Sequence, residues 1–139
     1  MALTDILNIA GSGMNAQVVR MNTTASNLAN AGVVSTTEGG AFRARRPVFE
    51  AILSSISGDP AEGGVRVTDI VSDGSSPKRV YEPGNPAADE EGYVYASNVN
   101  EVAELIEMLD ASRAYQNNVE VVTATRNLLS STLEVLKTR

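Results

Sequence analysis

Apolar residues in the first thirty positions recur at the spacing of an α-helix. The intervals between them are three or four residues, and four of them, Leu7, Met14, Met21 and Leu28, lie seven residues apart. The pattern consists of Leu3, Leu7, Ala10, Met14, Val18, Met21, Ala25 and Leu28. Thr4 or Asp5 is suited to cap the first turn. The pattern predicts an N-terminal helix over residues 1–31 with one narrow apolar face.

A longer and more regular pattern occupies the C-terminal part of the chain. Asn98, followed three residues later by Glu101, is typical of the first residues of a helix. Apolar residues then follow at intervals of three, four or seven, namely Leu105, Met108, Tyr115, Val119, Val122, Leu129, Leu133 and Leu136. We predict a C-terminal helix over residues 98–139, about 58 Å long up to Leu136 at about 1.5 Å per residue.

The segment between the two patterns is rich in residues that interrupt helices. All five Pro and nine of the eleven Gly lie between positions 32 and 92. Short runs of β-branched and aromatic residues predict strands at residues 65–71, 79–82 and 93–96. Residues 47–56 fit either a strand or a helix. We therefore expect residues 32–97 to form a small region of strands and loops.

These three segments indicate a mainly α fold that belongs to an assembly. Both helices exceed the mean length of about 12 residues in globular proteins, and the small centre cannot cover their apolar faces. In the simplest arrangement the two terminal helices pair as an antiparallel coiled-coil hairpin, forming one domain, with the β-rich centre as its connection. Such a pair leaves much apolar surface exposed, so we expect lateral neighbours.

Composition excludes several classes of function. Aromatic residues make up only 4% of the chain, so its core must rely on small aliphatic contacts or on neighbours. The net charge of -6 opposes nucleic-acid binding. The absence of Cys and His excludes thiol nucleophiles, imidazole triads and ordinary zinc sites. No apolar run is long enough for a membrane span, and no cleavable signal peptide is expected.

Two motifs have an alternative reading as ligand sites. The stretch Gly11 to Ala16 fits the G-x-G-x-x-A dinucleotide fingerprint, but that motif requires a preceding strand, whereas these residues continue a helical pattern. We interpret it as a loosened helix turn, with a nucleotide-binding enzyme as the alternative.

Glu101, Glu104, Glu107 and Asp110 recur every three residues, as in a conceivable divalent-metal ladder. A solvated acidic face is the preferred interpretation.

The one basic cluster, Arg43, Arg45 and Arg46, is too small for nucleic acid alone. We expect these residues to pair with carboxylates of a neighbouring molecule. No cofactor is predicted.

Specific strings in the chain resemble a known family. The stretch from Ser26 to Ala31, which closes the N-terminal helix, resembles the signature of the bacterial flagellar axial family, whose members build the rod, hook and filament. Further segments resemble the proximal-rod C type of basal-body rod protein within that family: residues 40–49, 80–94, 98–104 and 112–121. The similarity covers nearly the whole chain in order, and only residues 32–39 depart from it.

The resemblance implies a structural, non-enzymatic subunit of the basal-body proximal rod. Members of the family assemble helically into a drive shaft and export channel for motility. They are exported by the flagellar type III apparatus without a cleaved signal peptide and assemble in the periplasm. The implied partners are copies of the chain itself, other rod proteins, the membrane-ring adaptor and the membrane ring, with no small-molecule substrate. A soluble coiled-coil type III export chaperone or effector is the alternative; it would form a stable folded oligomer alone.

The candidate assembly residues lie on the two apolar faces and in the Ser26–Ala31 signature. Asn27 and Asn30 are three residues apart on one helix face and are suited to bond a neighbouring subunit. The full set is Leu7, Met14, Met21, Ser26, Asn27, Leu28, Asn30, Leu105, Met108, Tyr115, Val119, Val122, Leu129, Leu133 and Leu136.

Overall fold

Two long helices precede and follow a central β region in a computed structural model, which describes residues 3–52 and 63–137. The helices are α1 (Leu3–Ala29) and α2 (Glu101–Lys137). The described strands are β1 (Val34–Ser35), β2 (Arg45–Ile52), β3 (Gly64–Ser72), β4 (Lys78–Tyr81) and β5 (Tyr93–Ala96), with a short 3₁₀ turn at Glu38–Gly40. The prediction of two terminal helices around a β-containing centre is confirmed.

The predicted strands are confirmed with small changes of boundary. β5 has the predicted limits, β4 begins and ends one residue before the predicted limits, and β3 extends the predicted strand at both ends. The stretch 47–56, which fits both a helix and a strand, is a strand as far as Ile52. Its last four residues lie outside the described part of the chain.

The start of α2 differs from the prediction, because Asn100 rather than Asn98 caps the helix. The Asn100 side-chain oxygen accepts a hydrogen bond from the Ala103 N–H at 3.2 Å. Asn98 is engaged elsewhere: its side-chain oxygen accepts from the Ala44 N–H at 2.7 Å, and its amide nitrogen donates to Ser75. This tertiary use of Asn98 holds the backbone outside the helix for two more residues.

The chain divides into two compact units, and each helix contributes one of its ends to each unit. Unit 1 comprises the described parts of Met1–Val19, Val48–Asp69 and Asp110–Arg139. Unit 2 comprises Arg20–Pro47 and Ile70–Leu109.

Unit 2 contains a three-stranded sheet in the order β1-β5-β4, with both neighbouring pairs antiparallel. Val94 on the central strand is completely buried, and Ala41, Ala44 and Val99 join it in the core. These side chains are all small, as expected from a chain with few aromatic residues. At the end of the sheet the rings of Tyr81 and Tyr93 meet edge to face, 5.1 Å between centroids.

In unit 1 the start of β3 lies directly against α1. The Ser12 hydroxyl donates to the Ile9 carbonyl at 2.7 Å and accepts from the Val65 N–H at 3.1 Å. Gly64 has a φ of 152°, and a Cβ there would lie 2.7 Å from the Ser12 oxygen. Glycine is therefore required where the strand meets the helix.

The glycines of the Gly11–Ala16 motif lie within α1, which continues without a break from Leu3 to Ala29. No strand precedes the motif, so the context that a dinucleotide site requires is absent from the described residues around it. A Cβ on Gly13 would lie 3.0 Å from the Asn118 side-chain nitrogen of α2. Gly13 thus serves close packing between two helices.

Candidate assembly surfaces

Asn27, in the Ser26–Ala31 signature, is completely buried at the centre of unit 2. Its side-chain oxygen accepts from the Arg45 N–H at 2.9 Å, and its amide nitrogen donates to the Arg45 carbonyl at 2.9 Å. The same nitrogen donates to the Glu104 carboxylate at 3.0 Å. Asn27 therefore connects α1, β2 and α2 within one chain. Asn30, in contrast, donates to the Ser26 carbonyl one turn earlier in its own helix.

Glu104 is also completely buried, so the prediction of a solvated acidic face is wrong at this position. Its second carboxylate oxygen lies 2.6 Å from the Arg46 guanidinium. Arg46 thus pairs with a carboxylate of its own chain, contrary to the prediction that it pairs with a neighbour's. Burial of a charge requires such partners, because an unpaired carboxylate out of water is strongly unfavourable. We call Asn27, Arg46 and Glu104 the polar node.

The four acids spaced by three do not share one face of α2. Each step of three residues turns the helix by about 300°, so the row drifts by about 60° per step. Glu101 and Asp110 are exposed, while Glu104 is buried and Glu107 accepts from the Arg20 Nε at 2.9 Å. The described residues contain no group of three acids placed to hold a metal ion.

The predicted apolar faces are covered to different extents. On α1, Leu7, Met14, Met21 and Leu28 are half-buried, as is Ser26 of the signature. On α2 every seventh apolar residue from Met108 forms one row; Met108, Tyr115, Val122 and Leu129 are half-buried, and the last member, Leu136, is exposed. The companions of this row are exposed, namely Leu105, Val119 and Leu133. This row lies beside the most deeply buried positions of α2, which are Glu104, Ala111 and Thr125, and its exposed companions remain available to neighbours.

An exposed apolar stripe at the start of α2 contains three residues outside the predicted assembly set. We call it the front patch: Val102, Leu105, Ile106 and Leu109, which are 67%, 53%, 54% and 59% exposed. Their spacing of three, one and three residues places all four on one helix face. The spacing of these four apolar residues is visible in the sequence, but it departs from the seven-residue repeat that contains Met108 and Tyr115.

A second exposed set lies near the end of α2. We call it the end patch: Leu128, Leu133, Val135 and Leu136, which are 58–67% exposed. Three of them, with Ser131 and Thr132, line a shallow, largely apolar groove. Contiguous exposed apolar surface of this kind marks a site of interaction with another molecule.

The charged groups of unit 2 are arranged as local pairs. The Ser75 backbone N–H donates a hydrogen bond to the Asp73 carboxylate at 2.9 Å. This bond, a bond from the Ser75 hydroxyl and the nearby positive charges of Arg46 and Arg43 hold the pKa of Asp73 below its ordinary value. The Arg79 guanidinium donates to Glu91 at 2.7 Å, which raises the pKa of Arg79. Arg79 also stacks 3.9 Å from the ring centre of Tyr93. These contacts order a loop and offer no nucleophile paired with a base.

The rest of the basic cluster lies near groups of its own chain. Arg43 lies 4.0 Å from Glu38, and Arg45 lies over the Phe42 ring at 5.8 Å. Neither of the described helices is apolar enough over a sufficient length to cross a membrane.

Comparison with known proteins finds similarity along nearly the whole chain. Residues 7–34 match the family described as flagella basal body rod protein, and residues 90–135 match the family described as flagellar basal body rod FlgEFG protein, C-terminal. The chain is 44% identical to the flagellar basal-body rod protein FlgC of Escherichia coli O157:H7, over 96% of this chain and 97% of the relative. It is 42% identical to the Yersinia enterocolitica protein of that name over the same shares of each chain. For the Aquifex aeolicus protein the identity is 39% over 99% of both chains.

Proposed function

The chain belongs to the family of flagellar basal-body rod proteins, and from that membership we propose that its two long helices join it to other rod subunits. It is a structural subunit of the basal-body rod, a part of the machinery of motility. Its relatives are named for a structure and not for a reaction. The similarity over nearly the full length of both chains is the observation that carries this function.

The finer part of the proposal is that α1 and α2 pair antiparallel as a coiled-coil hairpin. In unit 1, Gly13 lies beside Asn118. In unit 2, Arg20 binds Glu107, and Asn27 binds Glu104. Within unit 2 the contact position advances along α1 as it retreats along α2, which supports opposite helix directions there.

We further propose the surroundings in which this subunit works. It is exported by the flagellar type III apparatus without a cleaved signal peptide and joins the proximal rod in the periplasm. There it assembles helically with copies of itself and other rod proteins, next to the membrane-ring adaptor and the ring. The exposed apolar residues on α2 support this proposal, since they provide surface for neighbouring subunits.

Neither alternative finds support. The relatives carry the name of a rod protein, and none of those named above is an export chaperone or effector. The Gly11–Ala16 stretch lies inside a helix and not between a strand and a helix, so the motif does not support nucleotide binding.

A charge placed on the seven-residue apolar row of α2 tests assembly. Val122 is half-buried on that row, and Val122→Asp sets a carboxylate against apolar neighbours, which is unfavourable unless the charge finds a partner. We expect the variant to be made and exported but to leave cells without completed rods, hooks or filaments in electron micrographs of basal bodies. Ala124→Asp introduces the same charge at an exposed position of the same helix and is the matched control. Intact rods in the Val122→Asp strain would contradict the role of this row.

Export is tested separately with the N-terminal segment. Residues 1–31, fused to an inert reporter, should direct its secretion in cells with a working flagellar export gate and not in cells that lack the gate. Secretion that does not depend on the gate would contradict the proposed route.

A further inference from the structure

The front patch and the end patch lie at opposite ends of one helix and carry opposite charges at their borders. Glu101 and Asp110 border the front patch, one on each side, about 40° beyond its outermost apolar residues at 100° per residue. Both acids are exposed. The front patch is therefore an apolar stripe between two carboxylates, and one exposed cation, Arg113, lies on the same face a turn after Leu109, so its charged surroundings are net negative.

The end patch has bases along one border. Arg126 and Lys137 lie about 20° and 40° beyond Leu133 on the same helical projection, and both are exposed. The acid of this segment, Glu134, lies on the opposite side of the helix. The end patch is therefore an apolar surface with a positive edge, complementary in charge to the front patch.

We propose that the front patch of one copy binds the end patch of a second copy of this chain. Contact between two front patches would bring four carboxylates together with only two cations, the Arg113 of each copy, and contact between two end patches would bring cations together, so net charge favours the unlike pair. The proposal rests on the proposed function and specifies which surfaces meet. A contact between two different surfaces of identical chains repeats from copy to copy and builds an open array unless the rotation closes a ring.

One such contact is weak by itself. Stable interfaces bury at least about 1,200 Å² in total, and four side chains on each copy bury less than this. The contact therefore forms when the chains are already arrayed, which suits a subunit that travels singly and assembles at its destination. Each copy uses one patch at each end of α2, so adding a copy always exposes a new free patch.

Cysteine cross-linking in basal bodies tests the contact, because the chain contains no Cys of its own. The double variant Glu101→Cys/Lys137→Cys places one thiol beside each patch, at exposed positions. The two thiols of one chain are about 54 Å apart along α2 at about 1.5 Å per residue, so a short bis-maleimide can join them only between copies. We expect a ladder of cross-linked species from the double variant and none from either single variant.

A charge exchange gives a second measurement. Glu101→Lys should reduce swimming and rod assembly, and Glu101→Lys/Lys137→Glu should recover most of the loss, whereas Glu120→Lys, an exposed site outside both patches, should leave them unchanged. Equal cross-linking by either single variant, cross-links only to a different rod protein, or no recovery in the double exchange would overturn the proposal. Rods that contain the chain but give no cross-link would overturn this contact alone, while absence of the chain from purified rods would overturn the proposed function as well.

Discussion

Asn27 is the residue that ties the family signature to the architecture of unit 2. Its amide forms a pair of hydrogen bonds with the backbone of Arg45, as a neighbouring strand would, and also reaches Glu104. An asparagine supplies one acceptor and two donors on a short side chain, so no apolar residue of similar size can replace these bonds. The signature residue thus acts as an internal connector, and the wider polar node depends on it.

Removing Arg46 alone from the polar node should lower the free energy of unfolding more than removing both charges of the Arg46–Glu104 pair. Arg46→Met leaves the buried Glu104 carboxylate with Asn27 as its remaining partner, and we expect the free energy of unfolding to fall by about 3 kcal/mol. In Arg46→Met/Glu104→Gln no unpaired charge remains, so most of the loss should be recovered. Arg45→Met, at the exposed neighbouring position, is the control and should change stability little. Urea unfolding of the four proteins measures the differences; equal losses in the single and double variants would contradict the role of the buried charge.

The lowered pKa of Asp73 predicts a small pH dependence of stability. A carboxyl whose pKa is depressed in the folded state contributes stability that is present above its unfolded value of 3.8 and is lost as the pH falls through the folded value. Thermal unfolding of the wild type and Asp73→Asn should therefore differ at neutral pH and converge in strong acid. A difference that grows as the pH falls would show that Asp73 acts in another way.

At the scale of elements, the contact between α1 and the start of β3 determines where the ribbon of β2 and β3 lies in unit 1. A two-stranded ribbon is marginally stable alone. Here the Ser12 hydroxyl accepts a hydrogen bond from the N–H of Val65, the second residue of β3, which pairs with β2. Glu50 and Arg66 pair across the two strands, and the Thr68 hydroxyl donates to the Val48 carbonyl. Within the Gly11–Ala16 stretch, the residue that contacts β3 is therefore Ser12, which lies between the two glycines.

Gly64→Ala should weaken this contact. The side chain would require an unfavourable positive φ and would press on the Ser12 oxygen, and we expect a loss of about 2 kcal/mol in the free energy of unfolding. Gly74→Ala is the matched control, because Gly74 has an ordinary φ and open space around it. Calorimetry of both variants decides the point, and equal stability of the two would mean that the close approach is not maintained in solution.

At the scale of the whole molecule, the protection of the helices from solvent is uneven along their lengths. α2 has buried side chains at Glu104 and Ala111, whereas from residue 126 to 137 it has only one residue that is not exposed, Leu129. Helices without tertiary packing are marginal in water. The last turns of α2 therefore need neighbours, while its first turns are stabilised within the chain.

Hydrogen exchange of the isolated chain should show this gradient. Amides at residues 103–111 should exchange slowly, because the polar node and the Arg20–Glu107 pair hold that part of α2. Amides at residues 128–137 should exchange within seconds in dilute monomer and become protected in assembled rods. Uniformly fast exchange along both helices would contradict a folded unit 2 in the free subunit.

The sequence by itself determined the order of elements and the family. Helical periodicity, the Gly and Pro of the centre and the strand at Tyr93–Ala96 are local properties, and local backbone preference is sufficient to predict them. The Ser26–Ala31 signature and the segments after it were sufficient to identify the rod family, since they occur in the same order along the chain.

Only the tertiary structure decided which polar residues are buried. Glu104 has the same sequence spacing as Glu101 and Asp110, yet it alone among the three lies inside, because the helix rotation brings it opposite Asn27 and Arg46. Asn98 likewise does not cap α2 as predicted, because its side-chain oxygen accepts a hydrogen bond from the N–H of Ala44, which is distant in the sequence. A buried polar group is stable only where partners from remote parts of the chain converge, and periodicity along one segment contains no information about those partners.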